Sequence, residues 1–407
     1  MTATDVPPGV LRSALELYLD LHAHPELSGA EVRTAAALAE RLRRDGCTVT
    51  GDVGGHGVVG VLSNGFGPTV MVRTELDALP VHERTGLAYA SRTPGTMHAC
   101  GHDLHTAAAA GALALLAGVR DSWSGTVLVV GQPAEEDLTG AAAMLADGLY
   151  ERFGTPDAVL AQHCAPLPAG TVAHGHGPLM AGSVTLDVVI HGTGGHAGAP
   201  QSAVDPVVTA AAAVLRLQTV VSRETAPAEQ VVLTVGSLHA GDRANVIPDE
   251  ARMSLSVRAF TDAALGRVVA AAERVVRAEC AASGCPRAPE FTVTSRSTPL
   301  VQHAATAQLV RRAHEDAFGA HRVTGWPGST ATEDFGHFGV DGVDGVPVAY
   351  WILGAAGARQ WRAAREGTSP LPANHSPEFA PDVRNALPAG ITAMAAAALR
   401  VLHARPE

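Results

Sequence analysis

The sequence predicts an α/β protein in which a domain with a mostly parallel sheet is interrupted by a smaller, inserted α+β domain. Two observations lead to this fold class. Apolar, strand-like runs alternate with helical stretches up to about residue 180, and the same alternation resumes after about residue 297. Between these points the order of the predicted elements changes. We therefore expect a discontinuous larger domain at residues 1–180 and 297–407 and an inserted domain at residues 181–296.

The larger domain is predicted from apolar runs that are separated by an alanine-rich crossover segment. Ser28, with Glu31 three residues later, predicts a capping box at the start of a helix. Parallel strands joined by helices place ligand sites at the carboxyl ends of the strands. Helices are expected at residues 9–23, 29–45 and 106–119, and strands at 58–62, 69–75, 126–131 and 158–162.

The inserted domain is predicted from a different order of elements, strand–helix–strand–strand–helix–strand. This βαββαβ order is typical of a split βαβ, ferredoxin-like unit with an antiparallel sheet, which serves as a lid or a dimerisation domain. Strands are expected at residues 184–191, 230–239, 251–260 and 290–295, and helices at 203–222 and 265–282.

Composition excludes several classes of function. The chain has 407 residues, 46% of them hydrophobic, which is enough for a large buried core. Its formal net charge of −11 argues against nucleic acid or an anionic membrane as a partner. All 29 basic residues are arginine, so neither a Schiff-base lysine nor the lysine of a P-loop is available. The remaining expectation is a protein that acts on small molecules.

Cysteine usage and the first residues predict the compartment. The five cysteines are an odd number spread along the chain, unlike the disulfide framework of a small secreted domain. The first residues lack a basic region followed by an apolar one, and no segment has about eighteen uninterrupted apolar residues. We therefore expect a cytoplasmic protein that does not bind a membrane.

Residues 98–103, His-Ala-Cys-Gly-His-Asp, form the densest group of chemically active side chains. Thiolate and imidazole are good ligands for a borderline-soft divalent metal. In an extended segment, residues two apart point the same way, so we expect Cys100 and His102 to bind at one site. Asp103 would support them or open the next helix.

Further candidate ligands are the adjacent pair Glu135 and Glu136, which follow an apolar strand, and the histidines His163 and His375. Neighbouring residues at a strand end project in opposite directions, so one glutamate can bind metal while the other reaches a metal-bound water. The whole set is large enough for two metal ions. Cys164, next to His163, leaves open which of those two residues would be the ligand.

Seven motifs follow one another along the chain. They are Leu-His-Ala-His-Pro-Glu-Leu-Ser at 21–28, Glu-Leu-Asp-Ala-Leu-Pro at 75–80, Met-His-Ala-Cys-Gly-His-Asp-Leu-His at 97–105, Gln-Pro-Ala-Glu-Glu at 132–136, Gly-Gly-His-Ala at 194–197, Arg-Ala-Asn-Val-Ile-Pro at 243–248 and Asn-His-Ser-Pro-Glu-Phe-Ala-Pro at 374–381. Together they resemble the M20 peptidase family, in its aminoacylase-type branch of hippurate hydrolases, auxin-conjugate hydrolases and N-acyl-amino-acid or N-acylglutamine aminoacylases. The resemblance runs from about residue 15 to 385.

The resemblance implies a catalytic domain with a binuclear metal site. It implies that the general base is Glu135 and that His163, not Cys164, is a ligand. A thiolate ligand favours zinc, with manganese or cobalt as alternatives, over magnesium or calcium. Position 75 is glutamate, whereas the family commonly has aspartate there. We expect the longer carboxylate to change the contacts around Asp77. The implied metal ligands are Cys100, His102, Glu136, His163 and His375.

The resemblance also assigns roles to the inserted domain. It implies that His196 reaches the active site of a partner subunit and stabilises the oxyanion, which requires a donor about 3 Å from the developing charge. Asn245 and Arg258 would hold the substrate carboxylate, although Arg258 is also compatible with an ordinary surface ion pair. The glycine-rich segment 192–198 lacks the G-x-G-x-x-G spacing, which excludes a dinucleotide site.

The predicted function is therefore that of a metal-dependent amidohydrolase, a homodimer through its lid, that hydrolyses N-acyl amino acids to a carboxylic acid and a free amino acid. One alternative is a dipeptidase of the same family, whose pocket needs an anionic group for the ammonium of the substrate. Another is a catalytically silent metal-binding or carrier protein. The intact pair Glu135 and Glu136 argues against this alternative.

Overall fold

The computed structural model describes residues 6–340 and 345–404. These residues form two compact units. The first unit runs to Gly177 and also contains Gln302–Pro327 and the chain from Asp334 onward, and the second contains Pro178–Val301 and Gly328–Glu333. The catalytic and lid roles expected of the two domains stay predictions.

The helices and strands are numbered along the chain. Up to Gly177 they are α1 (Pro8–Ala23), α2 (Val32–Arg44), β1 (Thr48–Val53), β2 (Gly57–Asn64), β3 (Thr69–Glu75), α3 (His102–Ala117), β4 (Gly125–Gln132), α4 (Gly140–Ala146), α5 (Leu149–Phe153), β5 (Ala158–Pro168) and β6 (Val172–His174). The second unit contains β7 (Pro178–Met180), β8 (Gly182–His191), β9 (Gly195–His196), α6 (Pro206–Glu224), β10 (Val231–His239), β11 (Val246–Ile247), β12 (Glu250–Ala259), α7 (Asp262–Ala282), β13 (Glu290–Ser297) and β14 (Leu300–Val301). The first unit then continues with α8 (Ala304–Phe318), β15 (Val323–Gly325), α9 (His337–Val340), β16 (Val348–Ala356), α10 (Ala358–Arg365) and α11 (Val383–Leu402).

An eight-stranded sheet, in the order β1-β2-β4-β3-β5-β16-β6-β15, forms the middle of the first unit. Strands β4, β3, β5 and β16 run parallel to one another. On one side β2 pairs antiparallel with β4 and β1 pairs antiparallel with β2, and on the other side β6 pairs antiparallel with β16. The parallel strands are mostly buried, as expected where helices cover both faces. Strand β1 escapes sequence prediction because it is largely polar and its residues are mostly exposed or half-buried.

The second unit has the predicted βαββαβ order, in β8, α6, β10, β12, α7 and β13. Its four-stranded sheet has the order β10-β12-β8-β13, with every neighbouring pair antiparallel. Buried residues alternate with less buried ones along β12, since α6 and α7 pack their apolar sides against the sheet. Together with the mostly parallel core of the first unit, this confirms the predicted fold class.

Helices α3 and α11 lie in the core of the first unit and are rich in alanine. Among the described residues, α11 is the one helix long and apolar enough to cross a membrane by length and composition, with a mean hydropathy of 1.3. However, 72% of the 18-residue stretch of α11 that meets this criterion is buried inside the structure. Its residues Leu387, Ile391 and Met394 belong to the main core cluster, and the central helix of a globular core passes the same test.

The predicted capping box at the start of α2 is wrong. The N-cap residue is Glu31, but its side chain does not cap the helix; Glu26 instead accepts from the backbone N–H groups of Arg33 at 3.0 Å and Thr34 at 2.8 Å. Ser28 Oγ instead donates to Asp77 Oδ2 at 2.8 Å, and Glu31 Oε1 accepts from the backbone of Ala134. Both side chains form hydrogen bonds with residues far away in the sequence, which a local pattern cannot show.

Two buried histidines tie three elements of this unit together. His174 on β6 donates from Nε2 to Nδ1 of His314 on α8 at 2.9 Å, and His314 Nε2 donates to the carbonyl oxygen of Ala393 on α11 at 3.0 Å. Burial lowers the pKa of His174 to about 2 and the pKa of His314 to about 4. Both rings are therefore neutral near pH 7.

Candidate metal centre

The candidate ligands meet at the edge of the sheet where β3, β4 and β5 run toward their carboxyl ends. His102 opens α3, and His163 lies on β5. The glutamate pair follows β4, and His375 lies in the segment before α11. The carboxyl ends of parallel strands share one edge of a sheet, so segments far apart in the chain converge there.

Three overlapping groups of ligand atoms lie close together in this region. In each group the atoms lie within 4.8 Å of one another: Cys100, His102 and His163; Cys100, Glu136 and His375; and His102, Glu135 and Glu136. Every predicted metal ligand and the predicted base therefore belong to one cluster, and Cys100 is common to two of its groups.

Individual distances show how tightly the cluster is built. Cys100 Sγ lies 3.3 Å from His163 Nε2, and His375 Nε2 lies 3.3 Å from Glu136 Oε1. His102 Nε2 lies 3.7 Å from Glu135 Oε2 and 3.9 Å from Glu136 Oε1. The His375 side chain is 53% exposed, so this side of the cluster is open to solvent.

The backbone hydrogen bonds of the imidazoles direct their second nitrogens into the cluster. His102 Nδ1 donates to the carbonyl oxygen of Asp77 at 3.0 Å, and His163 Nδ1 donates to the carbonyl oxygen of Cys164 at 2.8 Å. A carbonyl only accepts, so these bonds place a proton on Nδ1, and in the neutral form of each ring the lone pair is on Nε2. Imidazoles that bind metal are held in this way.

Two buried atoms of the cluster lack a hydrogen-bond partner among the described residues: His102 Nε2 and Glu136 Oε1. Buried polar atoms are nearly always paired, and the exceptions need an explanation. A lone pair and a carboxylate oxygen that face one space are the donors a divalent cation takes. The residues present therefore fit a bound metal.

Asp77 links the start of α3 to the glutamate pair. Its Oδ1 lies 3.2 Å from His102 Nδ1, while Oδ2 accepts from the backbone N–H of Glu136 at 2.9 Å. Burial by itself lowers the pKa of His102, but the Asp77 carboxylate and its acidic neighbours outweigh burial and raise that pKa to about 10, so a bound metal would take the place of the proton on Nε2. The same negative surroundings favour a bound cation.

The expected extended geometry at Cys100 and His102 is wrong, although the two side chains do share a group. Cys100 lies in a turn, Gly101 adopts a left-handed conformation with φ of 82°, and His102 already belongs to α3. An ideal Cβ on Gly101 would lie 2.3 Å from Cys164 Sγ. The turn and this close contact, not strand alternation, set the directions of the two ligands.

The expected opposite projection of Glu135 and Glu136 is also wrong. Strand β4 ends at Gln132, and the pair lies in a turn flanked by Ala134 and Leu138, whose φ values are 48° and 56°. Left-handed conformations are uncommon for residues with a Cβ atom. The turn brings both carboxylates toward one imidazole, whereas strand alternation would have separated them.

A buried network that the sequence did not predict lies beneath the cluster. Arg73 is fully buried on β3, pairs with Glu75, and donates from Nη2 to Asp334 Oδ1 at 3.1 Å. Glu75 also accepts from His105 Nδ1 at 3.0 Å, so the longer carboxylate at position 75 serves His105. Burial raises the pKa of Glu75, yet Arg73 and His105 outweigh it and hold that pKa well below its usual range. A charged residue inside an apolar strand is the signal for such a network.

The predicted substrate residues lie in the second unit. His196 is exposed on β9, where it pairs with Val246 of β11, and its Nδ1 accepts from the backbone N–H of Gly198 at 2.9 Å. Asn245 is also exposed, and its carbonyl oxygen accepts from the backbone N–H that follows His196 at 3.2 Å. Arg258 on β12 is half-buried and donates from Nη1 to the carbonyl oxygen of Thr330 at 2.9 Å.

Comparisons with known proteins agree with this geometry. The model of peptidase family M20/M25/M40 matches residues 71–400. The chain is 36% identical over 343 residues to N-acetyl-L-cysteine deacetylase of Bacillus subtilis, covering 84% of this chain and 80% of the relative. It is 31% identical to IAA-amino acid hydrolase ILR1-like 4 of Arabidopsis thaliana, covering 94% and 84%. The crystal structure of a Bacillus subtilis dinuclear metal binding peptidase from the M20 family superposes with a TM-score of 0.79 at 29% identity, covering 97% of this chain and 99% of that one. The chain therefore belongs to peptidase family M20/M25/M40, which confirms the family that its motifs predict.

Proposed function

We propose that this chain is a metal-dependent amidohydrolase that cleaves N-acyl amino acids to a carboxylic acid and a free amino acid. The observation that carries the proposal is the cluster in which His102 Nε2 and Glu136 Oε1 are buried beside Glu135 without a hydrogen-bond partner among the described residues. The chain is a hydrolase of amide bonds, as its deacetylase and amino acid hydrolase relatives are named. The acyl group and the amino acid are left to experiment.

Two divalent ions are the proposed cofactors. Zinc is expected, with manganese or cobalt as alternatives, because the donor set combines one thiolate with imidazoles and carboxylates. The similar Bacillus subtilis structure is described as dinuclear and metal binding, which supports the number of ions. When bound, such ions bring the pKa of a coordinated water from about 15.7 toward about 7 and polarise an amide carbonyl. The proposed ligands are Cys100, His102, Glu136, His163 and His375.

Glu135 is the proposed general base and Glu136 the proposed ligand. Glu136 Oε1 lies within 4 Å of ring nitrogens of both His102 and His375, so this oxygen faces two other proposed ligands. The Glu135 side chain is 7% exposed, and its Oε2 lies 3.7 Å from His102 Nε2. From this position the carboxylate can take the proton of an attacking water and deliver it to the departing amine.

His196 is the proposed oxyanion donor. Because its Nδ1 accepts from Gly198 N–H, the neutral ring carries its proton on Nε2, where it can be donated to a developing negative charge. Asn245 and Arg258 are proposed to hold the substrate carboxylate. Nη1 of Arg258 is occupied by Thr330, so a bidentate contact would use Nη2 and Nε.

We further propose a homodimer in which His196 serves the active site of the partner subunit. Glu135→Gln and His196→Ala subunits would each be inactive by themselves. In a mixed dimer, one site would contain both parent residues, so activity should return after subunit exchange. A mixture that exchanges subunits, shown by mass spectrometry, and stays inactive would place His196 in its own subunit or outside the reaction. The cytoplasmic location also stays a proposal, supported by five cysteines that are all free thiols.

The decisive assay is hydrolysis of a panel of substrates by zinc-, manganese- or cobalt-loaded protein. Hippurate, N-acetyl, long-chain N-acyl and indole-acetyl amino acids are compared with dipeptides, and the release of free amino acid is measured. We expect turnover of at least one N-acyl amino acid, loss of turnover with a chelator, and its return with added metal. Turnover of dipeptides alone would favour the dipeptidase alternative, and no turnover at all, with metal bound, would favour a carrier.

A further inference from the structure

Glu31 is fully buried at the start of α2, yet its carboxylate does not cap that helix. Its Oε1 accepts two backbone N–H groups, from Gly29 at 2.8 Å and from Ala134 at 2.8 Å. Gly29 belongs to the loop of Glu31 itself, whereas Ala134 lies 103 residues further along the chain. One oxygen atom therefore ties the start of α2 to the turn that carries the glutamate pair.

Ala134 is the residue that directs this turn. Its φ of 48° is in the left-handed region, which residues with a Cβ atom rarely adopt and keep only where the surroundings hold them. Its carbonyl oxygen accepts from Thr139 at 3.3 Å and from Gly140 at 3.2 Å, so the far side of the turn closes onto the same residue. On the near side, Glu31 supplies the acceptor for its N–H.

We propose that Glu31 is a positioning residue for catalysis: it holds Ala134 in the left-handed conformation and thereby directs Glu135 and Glu136 toward His102. The contact needs an acceptor oxygen and not a negative charge. Glu31 Oε2 is buried without a hydrogen-bond partner among the described residues, and burial raises the pKa of Glu31. An amide oxygen at the same place should therefore serve equally well.

The test compares Glu31→Gln, which keeps the acceptor, with Glu31→Leu, which keeps the size and loses it. Zinc affinity is measured by competition with a chromogenic chelator, and kcat and KM are measured on the N-acyl amino acid that the parent protein turns over best. We expect Glu31→Gln to match the parent within about twofold. Glu31→Leu should weaken zinc binding about 10–100-fold, as the loss of a residue that orients a ligand does. Its kcat should fall up to about 10²-fold, since small displacements of catalytic groups have effects of that size.

A second pair of variants tests the backbone conformation itself. Glycine adopts positive φ freely, so Ala134→Gly should be neutral in the parent and should restore at least about fivefold in zinc affinity and kcat to Glu31→Leu. Ala134→Val, with a β-branched side chain that disfavours this conformation, should resemble Glu31→Leu even with Glu31 intact. A merely structural role for Glu31 would not be repaired by glycine at position 134. The valine variant also provides the test if Glu31→Leu does not fold.

Two results would overturn the inference: equal zinc affinity and kcat in folded Glu31→Gln and Glu31→Leu, or no recovery in the double variant. The inference rests on the proposed function for its kinetic part only. If the parent hydrolyses no N-acyl amino acid, the proposed function fails, while the zinc affinities still decide whether Glu31 positions the turn.

Discussion

Replacing Gly101 with alanine tests how the chain fixes the directions of Cys100 and His102. Gly101 lies between these two candidate ligands with a φ of 82°, and an added Cβ would lie 2.3 Å from Cys164 Sγ. The left-handed conformation costs alanine about 1–2 kcal/mol, and overpacking a buried contact costs about 1–3 kcal/mol. We therefore expect Gly101→Ala to lower the free energy of unfolding by roughly 2–5 kcal/mol.

A matched control separates the two contributions. Gly95 has a φ of 76° and nothing within 4 Å of an added Cβ, so Gly95→Ala should lose only the conformational part, about 1–2 kcal/mol. In a Gly101→Ala protein, the further change Cys164→Ala removes the sulfur that the methyl group meets. The double variant should therefore be more stable than the sum of the single changes predicts.

The assay is urea unfolding with and without zinc, together with metal analysis of the folded protein. Because the clash displaces the turn between two ligands, Gly101→Ala should bind less zinc than Gly95→Ala at equal protein concentration. The reasoning would be refuted if Gly101→Ala and Gly95→Ala lost equal stability. It would also be refuted if Cys164→Ala changed the free energy of unfolding of the parent and of Gly101→Ala by the same amount.

The remaining predictions concern the base, the ligands and acid stability. Glu135→Gln should keep its metal content while kcat falls about 10²–10⁴-fold. The control is Asp137→Asn, a change at an exposed neighbouring residue. Near-normal turnover of metal-loaded Glu135→Gln would exclude Glu135 as the base. Cys100→Ser should bind less zinc than the parent by elemental analysis, and an unchanged metal content would remove Cys100 from the ligand set. The depressed pKa values of His174 and His314 mean that unfolding takes up protons below pH 6.5. Each buried ring should therefore destabilise the fold by roughly 1.4 kcal/mol per pH unit as the pH falls from 6.5 toward 4. Urea unfolding from pH 7 to 4.5 measures this loss of stability. The loss should be less steep in His314→Asn, and an unchanged slope in that variant would show that His314 does not cause it.

The cluster of candidate ligands could be predicted because it depends on residue types that follow one another in a fixed order. Cys100, His102 and Glu136 come directly after or between segments whose apolar patterns mark strands and helices. Once those strands are parallel, their carboxyl ends share an edge, and the order of the motifs brings the side chains together. The structure therefore contains the cluster even where the expected local conformations are wrong.

Local patterns failed where a distant part of the chain competed for a side chain. Ser28 has the sequence context of a helix cap but donates to Asp77, and Arg73 lies in an apolar strand but is paired with Glu75 and Asp334. A hydrogen bond to a residue tens or hundreds of positions away leaves no periodic trace in the sequence. Such bonds exist only after the sheet and its loops are assembled.

The sequence by itself determined the fold class, the family and the types of candidate ligand, since these depend on composition, hydrophobic period and motif order. Only the tertiary structure decided how the ligands are directed: the left-handed turns at Gly101, Ala134 and His375, where φ is 82°, 48° and 67°. Strand alternation had predicted opposite directions for Glu135 and Glu136, which follow Ala134. The physical reason is that a conformation unfavourable for an isolated residue persists where packing and distant hydrogen bonds hold it, such as the bond from His375 N–H to the carbonyl oxygen of Ala99 at 2.8 Å.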